Sequence, residues 1–411
     1  TFEPGEWCDM TATFQMPSAI DYTKTRDIRI VVGTQNKEIY IDDWQFYEQG
    51  FDIPAPDSGS GGGSSGTANK TVIDKSEDSR RSMLEAFGIY DANEYSDASE
   101  QVSREKFSKY LAVMLGCGGM VSEGSAELAA DLEGYEGYAQ LMLEKDLLKK
   151  DENGAYNPYK GITFGEACRA LVTALGFKSE LESKLPQNAA ANLGITKGVN
   201  IPSGNVLTFE QLNKLLVNFL DCRSLTADKI VNGQPGYALD SRVLECKMGL
   251  TEREGIVEAT SVTSLSNYNG IGEGRVKIAG SEYVVYNDVS ELLGNNVKFY
   301  TKETDGGDAA IFFTDIDKKN DIVLIDARNL TGYTGGAYNY TTGKNSSRKR
   351  AVLSSDRYLI YNNRSVSEYT DADMLTKDGS VELIDNNRDG KYEIVKVINY
   401  ETFVVESVDK A

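Results

Sequence analysis

Val102-Ser-Arg-Glu-Lys-Phe-Ser-Lys-Tyr-Leu-Ala-Val-Met-Leu-Gly116, Ile162-Thr-Phe-Gly-Glu-Ala-Cys-Arg-Ala-Leu-Val-Thr-Ala-Leu-Gly176 and Leu207-Thr-Phe-Glu-Gln-Leu-Asn-Lys-Leu-Leu-Val-Asn-Phe-Leu-Asp221 are three versions of one pattern. Apolar or aromatic residues recur at offsets 0, 5, 8, 9, 12 and 13 in all three. Such steps place a single stripe on one face of a helix. The second position is Ser103, Thr163 or Thr208, each a good N-cap. Glu166 and Gln211 follow their caps by three residues and complete a capping box, whereas Lys106 does not. A shorter helix precedes each copy and ends at Phe87-Gly-Ile89, Lys145-Asp-Leu147 or Leu193-Gly-Ile195. One unit is therefore helix, polar loop, capped helix. A single unit cannot bury its stripe, but three packed together can.

Working outward, the sequence divides into residues 1–53, 54–68, 69–222 and 223–411. Ser58-Gly-Ser-Gly-Gly-Gly-Ser-Ser-Gly66, preceded by Pro54 and Pro56, reads as a flexible joint. Before it, three β-branched and aromatic runs predict strands, too few to close a sheet. After the repeats the period changes from helical to alternating, and Gly255–Thr260, Gly274–Ile278, Glu282–Tyr286, Asn296–Tyr300, Ala310–Thr314, Asp321–Ile325, Tyr358–Tyr361, Val381–Ile384 and Tyr392–Val397 predict strands. Val289–Gly294 predicts a short helix, and the Gly-, Tyr- and Asn-rich stretch Thr331–Arg350 an exposed loop. Thr1 is not an initiator Met, so the sequence is expected to be processed or cut from a longer one.

Composition narrows the chemistry. The 411 residues carry 43 Lys and Arg against 63 Asp and Glu, a net charge of -20. That field argues against a nucleic-acid partner. There is no histidine, which removes His-based triads and His-ligated zinc. The five cysteines are widely spaced and form no C-x-x-C. Carboxylate pairs such as Asp315 and Asp317 sit on a strand or turn without a surrounding pocket pattern, so no enzymatic activity is expected. No apolar run reaches 18 residues, so no membrane span is expected.

Two resemblances follow from the quoted motifs. The triplicated unit resembles the S-layer homology domain, with Ile162-Thr-Phe-Gly-Glu-Ala and Val102-Ser-Arg-Glu-Lys-Phe nearest that family's pattern. The resemblance implies a multidomain chain in which residues 69–222 form an all-α pseudo-threefold helical prism, flanked by a β-sandwich remnant and by all-β or α+β small domains. It also implies a secreted, extracellular protein anchored without covalent bonds to the secondary polysaccharide of a Gram-positive-type cell wall. Grooves before the second helices would hold the polymer, with Ser103, Arg104, Thr163, Glu166, Thr208 and Glu210 as binding residues. Free N–H groups and the positive ends of the helices would suit an anionic sugar. The family's Arg position holds Arg104 in the first copy and Phe164 and Phe209 in the others. Separately, Gly5-Glu-Trp7 and Tyr40-Ile-Asp-Asp-Trp44 resemble the end of a jelly-roll carbohydrate-binding module, which implies a structural calcium at Asp42 or Asp43.

A cation loop is read directly from the C-terminal region. Asp385, Asn387 and Asp389 occupy positions 1, 3 and 5, a Gly position 6, and Glu393 position 9. Ca²⁺ favours such a crowd of oxygens. Position 12 is Lys396, so the loop is not an EF-hand. The second functional expectation is a structural subunit that assembles with copies of itself into a surface layer or filament, the repeats serving only as scaffold.

Overall fold

The computed structural model describes residues 71–74, 79–91, 94–118, 136–231, 234–304, 306–316, 318–342 and 347–400. The expected sandwich remnant, the expected linker, and Asp42 and Asp43, expected to hold calcium, lie outside these residues. A short strand, β1 (Val72–Asp74), comes first. Helices α1 (Arg80–Ala86) and α2 (Arg104–Met114) form the first copy, α3 (Glu136–Glu144) and α4 (Phe164–Ala174) the second. The third is α5 (Glu180–Ser183), α6 (Pro186–Asn192) and α7 (Phe209–Asp221).

Local chemistry explains each helix boundary. Ser103, Thr163 and Thr208 are N-caps, and capping boxes form at Thr163–Glu166 and Thr208–Gln211. Lys106 cannot accept a hydrogen bond; its ammonium lies 3.4 Å from Glu94 instead. The first helices close alike, with Ile89, Leu147 and Ile195 donating to Leu84, Met142 and Ala190. The residue before each donor is left-handed, with φ of 71° at Gly88, 53° at Asp146 and 85° at Gly194.

The three copies are joined by a closed ring of backbone bonds. Val102 donates to Leu207 at 2.9 Å, Leu207 to Ile162 at 2.9 Å, and Ile162 to Val102 at 2.8 Å. The ring extends into the helix starts. Arg104 and Glu105 donate to Lys160 and Pro158, Phe164 and Gly165 to Asn205 and Ser203, Phe209 and Glu210 to Glu100 and Ala98. Each loop thus satisfies the otherwise orphaned first amides of another copy's helix.

Beyond α7, strands β2 (Arg223–Val231) and β3 (Gln234–Arg242) form a two-stranded ribbon that leads into α8 (Val243–Cys246). A six-stranded sheet contains β4 (Thr251–Ala259), β5 (Arg275–Ile278), β6 (Ser281–Val284), β7 (Asn296–Glu303) and β8 (Ala309–Ile316). Its order is β1-β8-β6-β5-β4-β7, and β8 also pairs with β7, so the sheet curls toward a barrel. The β6–β8 contact is the single register pair Val284–Ala310. A seven-stranded sheet contains β9 (Asp321–Asp326), β10 (Leu330–Thr334), β11 (Ala337–Thr342), β12 (Ser347–Tyr361), β13 (Arg364–Val366), β14 (Gly379–Asp385) and β15 (Tyr392–Asn399). Its order is β10-β11-β12-β15-β14-β9, with β13 added beside β12.

The expected fold class is overturned. Among the described residues, 37% are strand and 25% helix, and no all-α triple-repeat prism is present. The helical core is not closed by the helices alone. Strand β1 pairs in parallel with β8, and Phe87 meets the rings of Tyr300 and Phe313 edge-on at 5.2 and 6.2 Å. Leu250, Tyr300 and Phe313 share one core with α1 through α8. The repeat pattern describes one stripe per helix, whereas Phe87 lies past the end of α1 and finds its apolar partners on the sheet. Burying these rings stabilises the junction by roughly 1.5–3 kcal/mol for each side chain.

Two smaller expectations also change. Thr331–Arg350 is not a loop: most of it forms β10, β11 and the start of β12. Gly335 and Gly336, at φ of 59° and 69°, make the two-residue turn that a hairpin requires, and Tyr333 and Tyr338 turn inward. Its Gly and Asn content obscured that alternation. Of Val289–Gly294, only Ser290–Leu292 turns, as a 3₁₀ helix. Gly294 lies so close to the second sheet that a Cβ there would sit 2.7 Å from Ile394. Ile360, Ile384 and Ile394 accordingly join the core of the first sheet.

Replacing Thr208 with Ala removes a cap whose reciprocal partner is present, and should lower unfolding free energy by about 1 kcal/mol. Ser103→Ala, at a cap with no return bond, should cost less in the same urea titration. Equal losses would count against the reciprocal bond as the source of the difference.

Candidate functional site

The loops that complete the ring also build a groove beside the starts of α2 and α4. Its floor is Arg104, which is 3% exposed. The guanidinium lies 4.9 Å from the Tyr156 ring centroid. Its Nε donates to the Tyr156 carbonyl at 2.9 Å, Nη2 to the Lys149 carbonyl at 2.8 Å, and Nη1 to Glu166 Oε1. Glu166 Oε2 accepts from the amide and hydroxyl of Thr163 at 3.0 and 2.7 Å. One carboxylate therefore closes a capping box and an ion pair together. The Tyr156 hydroxyl contacts Ser108 Oγ, and burial pushes its pKa up to about 12.

The walls come from the segment between α3 and α4. Asp146 is held left-handed, a conformation Asp tolerates better than most non-glycine residues. Its carboxylate meets Lys178 at 2.7 Å and Arg169 at 3.2 Å. Lys178, then Arg169, hold its pKa below the usual carboxylate range. Arg169 also donates to the carbonyls of Asp146 and Leu147. Further on, Asp151 accepts from the amides of Asn153 and Ala155 and from the Asn157 side chain, which fixes the turn ahead of Lys160.

The result is a cavity of about 200 Å³ lined by Arg104, Lys149, Lys150, Lys160 and Arg169 on the basic side. Asp151 and Glu166 are its two acids. A basic pocket in a chain of net charge -20 is a local reversal of sign. Lys149 and Lys160 are exposed, and among the described residues no carboxylate lies within salt-bridge distance of either, although the charge of Lys160 acts on Asp151. Such groups can neutralise a carboxylate or phosphate ligand while the arginines stay in place.

The expected binding residues divide accordingly. Arg104, Thr163 and Glu166 come together but spend their polar atoms on one another and on the loops. Ser103 and Thr208 accept from Lys106 and Gln211 within their own helices. Glu210 lies apart and pairs with Lys214 at 2.7 Å. The helix-start amides expected to face an anion instead donate to carbonyls of another copy. Lys149, Lys150, Lys160 and Arg169 were missed. Their signal was a cluster of lysines flanking Asp151-Glu-Asn-Gly-Ala-Tyr-Asn157, in a loop expected to line a groove but from which no binding residue was named.

A second site sits at the tip between β14 and β15. Asp385 is 2% exposed. Its Oδ1 accepts from the amides of Asn387 and Arg388 at 3.2 and 2.6 Å, and its Oδ2 from Gly390 at 2.9 Å. The Asn387 side-chain amide donates to Glu393 Oε1 at 3.0 Å, so its oxygen remains on the Asp389 amide. Oxygens of Asp385, Asp389 and Glu393 all lie within 4.8 Å of one another, a set that could hold a metal ion. Burial raises the Glu393 pKa, and the neighbouring Asp385 and Asp389 add to that.

No protein-family model and no curated protein matches the chain. Among the described residues, no helix is long and apolar enough to cross a membrane.

Arg104→Met leaves Glu166 and two loop carbonyls without their donor. It should lower unfolding free energy by about 2–3 kcal/mol. Arg328→Met, which removes a surface pair with Asp326, should leave unfolding free energy almost unchanged. Similar small effects from both variants in chemical denaturation would contradict a structural role for Arg104.

Proposed function

We propose that this chain is a secreted cell-surface protein held non-covalently by an anionic cell-wall polysaccharide, which lies in the groove beside α2 and α4. The observation that supports the reading is the gathering of five basic side chains around one cavity in a strongly acidic chain. Lys149, Lys150 and Lys160 contact carboxylate or phosphate groups of the polymer. Arg104 and Arg169 are positioning residues that hold the loop carrying those lysines. The resemblance of the triplicated unit to S-layer homology repeats favours a wall polymer over other polyanions. The two sheets then act as spacer or display.

The test is co-sedimentation of the whole chain with Gram-positive cell walls, intact and stripped of secondary polymer. A Lys149→Glu/Lys160→Glu variant should lose about tenfold in affinity, since exposed charge contacts contribute up to about 1 kcal/mol each. Binding should also weaken with salt. Equal sedimentation with stripped walls, or no loss in the variant, would sink the reading.

A second reading, a subunit that assembles with its own copies, is favoured by the ribbon. Ile230, Tyr237 and Leu239 on it are 81%, 62% and 53% exposed. Light scattering that rises with protein concentration and vanishes in Tyr237→Ser/Leu239→Ser would support it.

The ion at Asp385, Asp389 and Glu393 is Ca²⁺ in this proposal, because the donors are hard oxygens and the loop accommodates a large cation. Calcium at a hundredfold excess over Kd should stabilise the chain by about 2.7 kcal/mol. Asp389→Asn should remove that gain, and an unchanged melting temperature in the parent protein would count against the site.

A further inference from the structure

Strand β12 runs for 15 residues, longer than any of its neighbours. Leu353 and, after an irregularity, Tyr358–Tyr361 pair with β15, and Leu359–Tyr361 also pair with β13. Its first part is different. Ser347–Val352 pair with β11 on one side, and no described strand lies on the side that β15 takes up at Leu353. This stretch presents an open row of backbone donors and acceptors, the template for an added strand.

The side chains on that edge carry one sign. Arg348, Lys349 and Arg350 are all exposed, and no described carboxylate pairs with them. Ala351 and Leu353 are buried, so the alternation of the strand puts Arg348, Arg350 and Val352 on the solvent face. The two arginines stand about 7 Å apart along the strand, the repeat of same-face residues in any partner strand. Asn339 and Thr341, opposite them on β11, leave this face polar without any acid. Charges on an open edge also discourage pairing between identical edges. Three unpaired cations repel a copy of themselves but select an acidic strand, and screening over about 8 Å keeps that local field separate from the net negative charge.

We propose that the open edge of β12 at Ser347–Val352 binds an extended acidic peptide by strand addition. Backbone hydrogen bonds run along the edge, and acidic side chains at alternate positions meet Arg348 and Arg350. This inference does not depend on the polysaccharide groove. An anionic glycan could meet the arginines as well, but it would have no use for the free backbone row, which is why a peptide is favoured.

The test uses the full chain and a fluorescent ten-residue peptide alternating Glu with Thr or Val, followed by anisotropy. Binding should saturate and weaken with salt. Arg348→Glu/Arg350→Glu should reduce affinity at least about tenfold, two exposed charge contacts being reversed, with an unchanged melting temperature. The same peptide N-methylated at every second amide should lose at least as much, because it keeps its charge but cannot form the ladder. Absence of binding, or equal binding of the N-methylated peptide, would overturn the proposal. So would heparin binding as tightly as the peptide and losing as much in Arg348→Glu/Arg350→Glu, since the edge would then be a general polyanion patch.

Discussion

The structure depends on the ring of three backbone hydrogen bonds that joins Val102, Ile162 and Leu207. Each residue is both donor and acceptor, so no copy can satisfy its loop without the other two. The same loops supply carbonyls to the first amides of α2, α4 and α7. Those amides would otherwise need water or a ligand. Arg104, Phe164 and Phe209 are no more than 3% exposed, which leaves little access for water at their amides. Three short helix pairs that are individually too small to persist thus become one cooperative unit.

This closure also decides what the groove can do. With the helix-start amides consumed, positive charge must come from side chains, and the chain places them on the segment between α3 and α4. Arg104 ties that segment to α2 and α4 from below, as a buried cation with one carboxylate and two carbonyl partners. A buried charge of this kind serves the position of other groups more than it serves stability. Lys149, Lys150 and Lys160 above it are exposed.

Much of this was legible in the sequence, and the rest was hidden for identifiable reasons. The three stripes, the caps at Ser103, Thr163 and Thr208 and the missing box at Lys106 follow from local chemistry, and the helices bear them out. Most of the strands after residue 250 also follow from alternation. The all-α prism failed because a stripe reports which face is buried and not against what; Phe87 buries on Tyr300 and Phe313, far away in sequence. The β10–β11 hairpin was hidden by its glycines, two of which are the turn itself. Arg104 was picked out as a ligand-binding residue by resemblance, but its burial among carbonyls is a tertiary fact. Lys149 and Lys160 gain their meaning only when the loop between α3 and α4 folds over α2. At the other end of the chain, Asp385, Asp389 and Glu393, which could hold a metal ion, were legible because they belong to one short stretch of sequence.

The most direct test of the ring is native-state hydrogen exchange at the amides of Val102, Ile162 and Leu207. If the three loops close on one another, these amides exchange with one common free energy, at or near that of global unfolding. The helix-start amides of Arg104, Phe164 and Phe209 should follow them. Exchange of any one ring amide by a separate, lower-energy opening, with the other two still protected, would contradict the account.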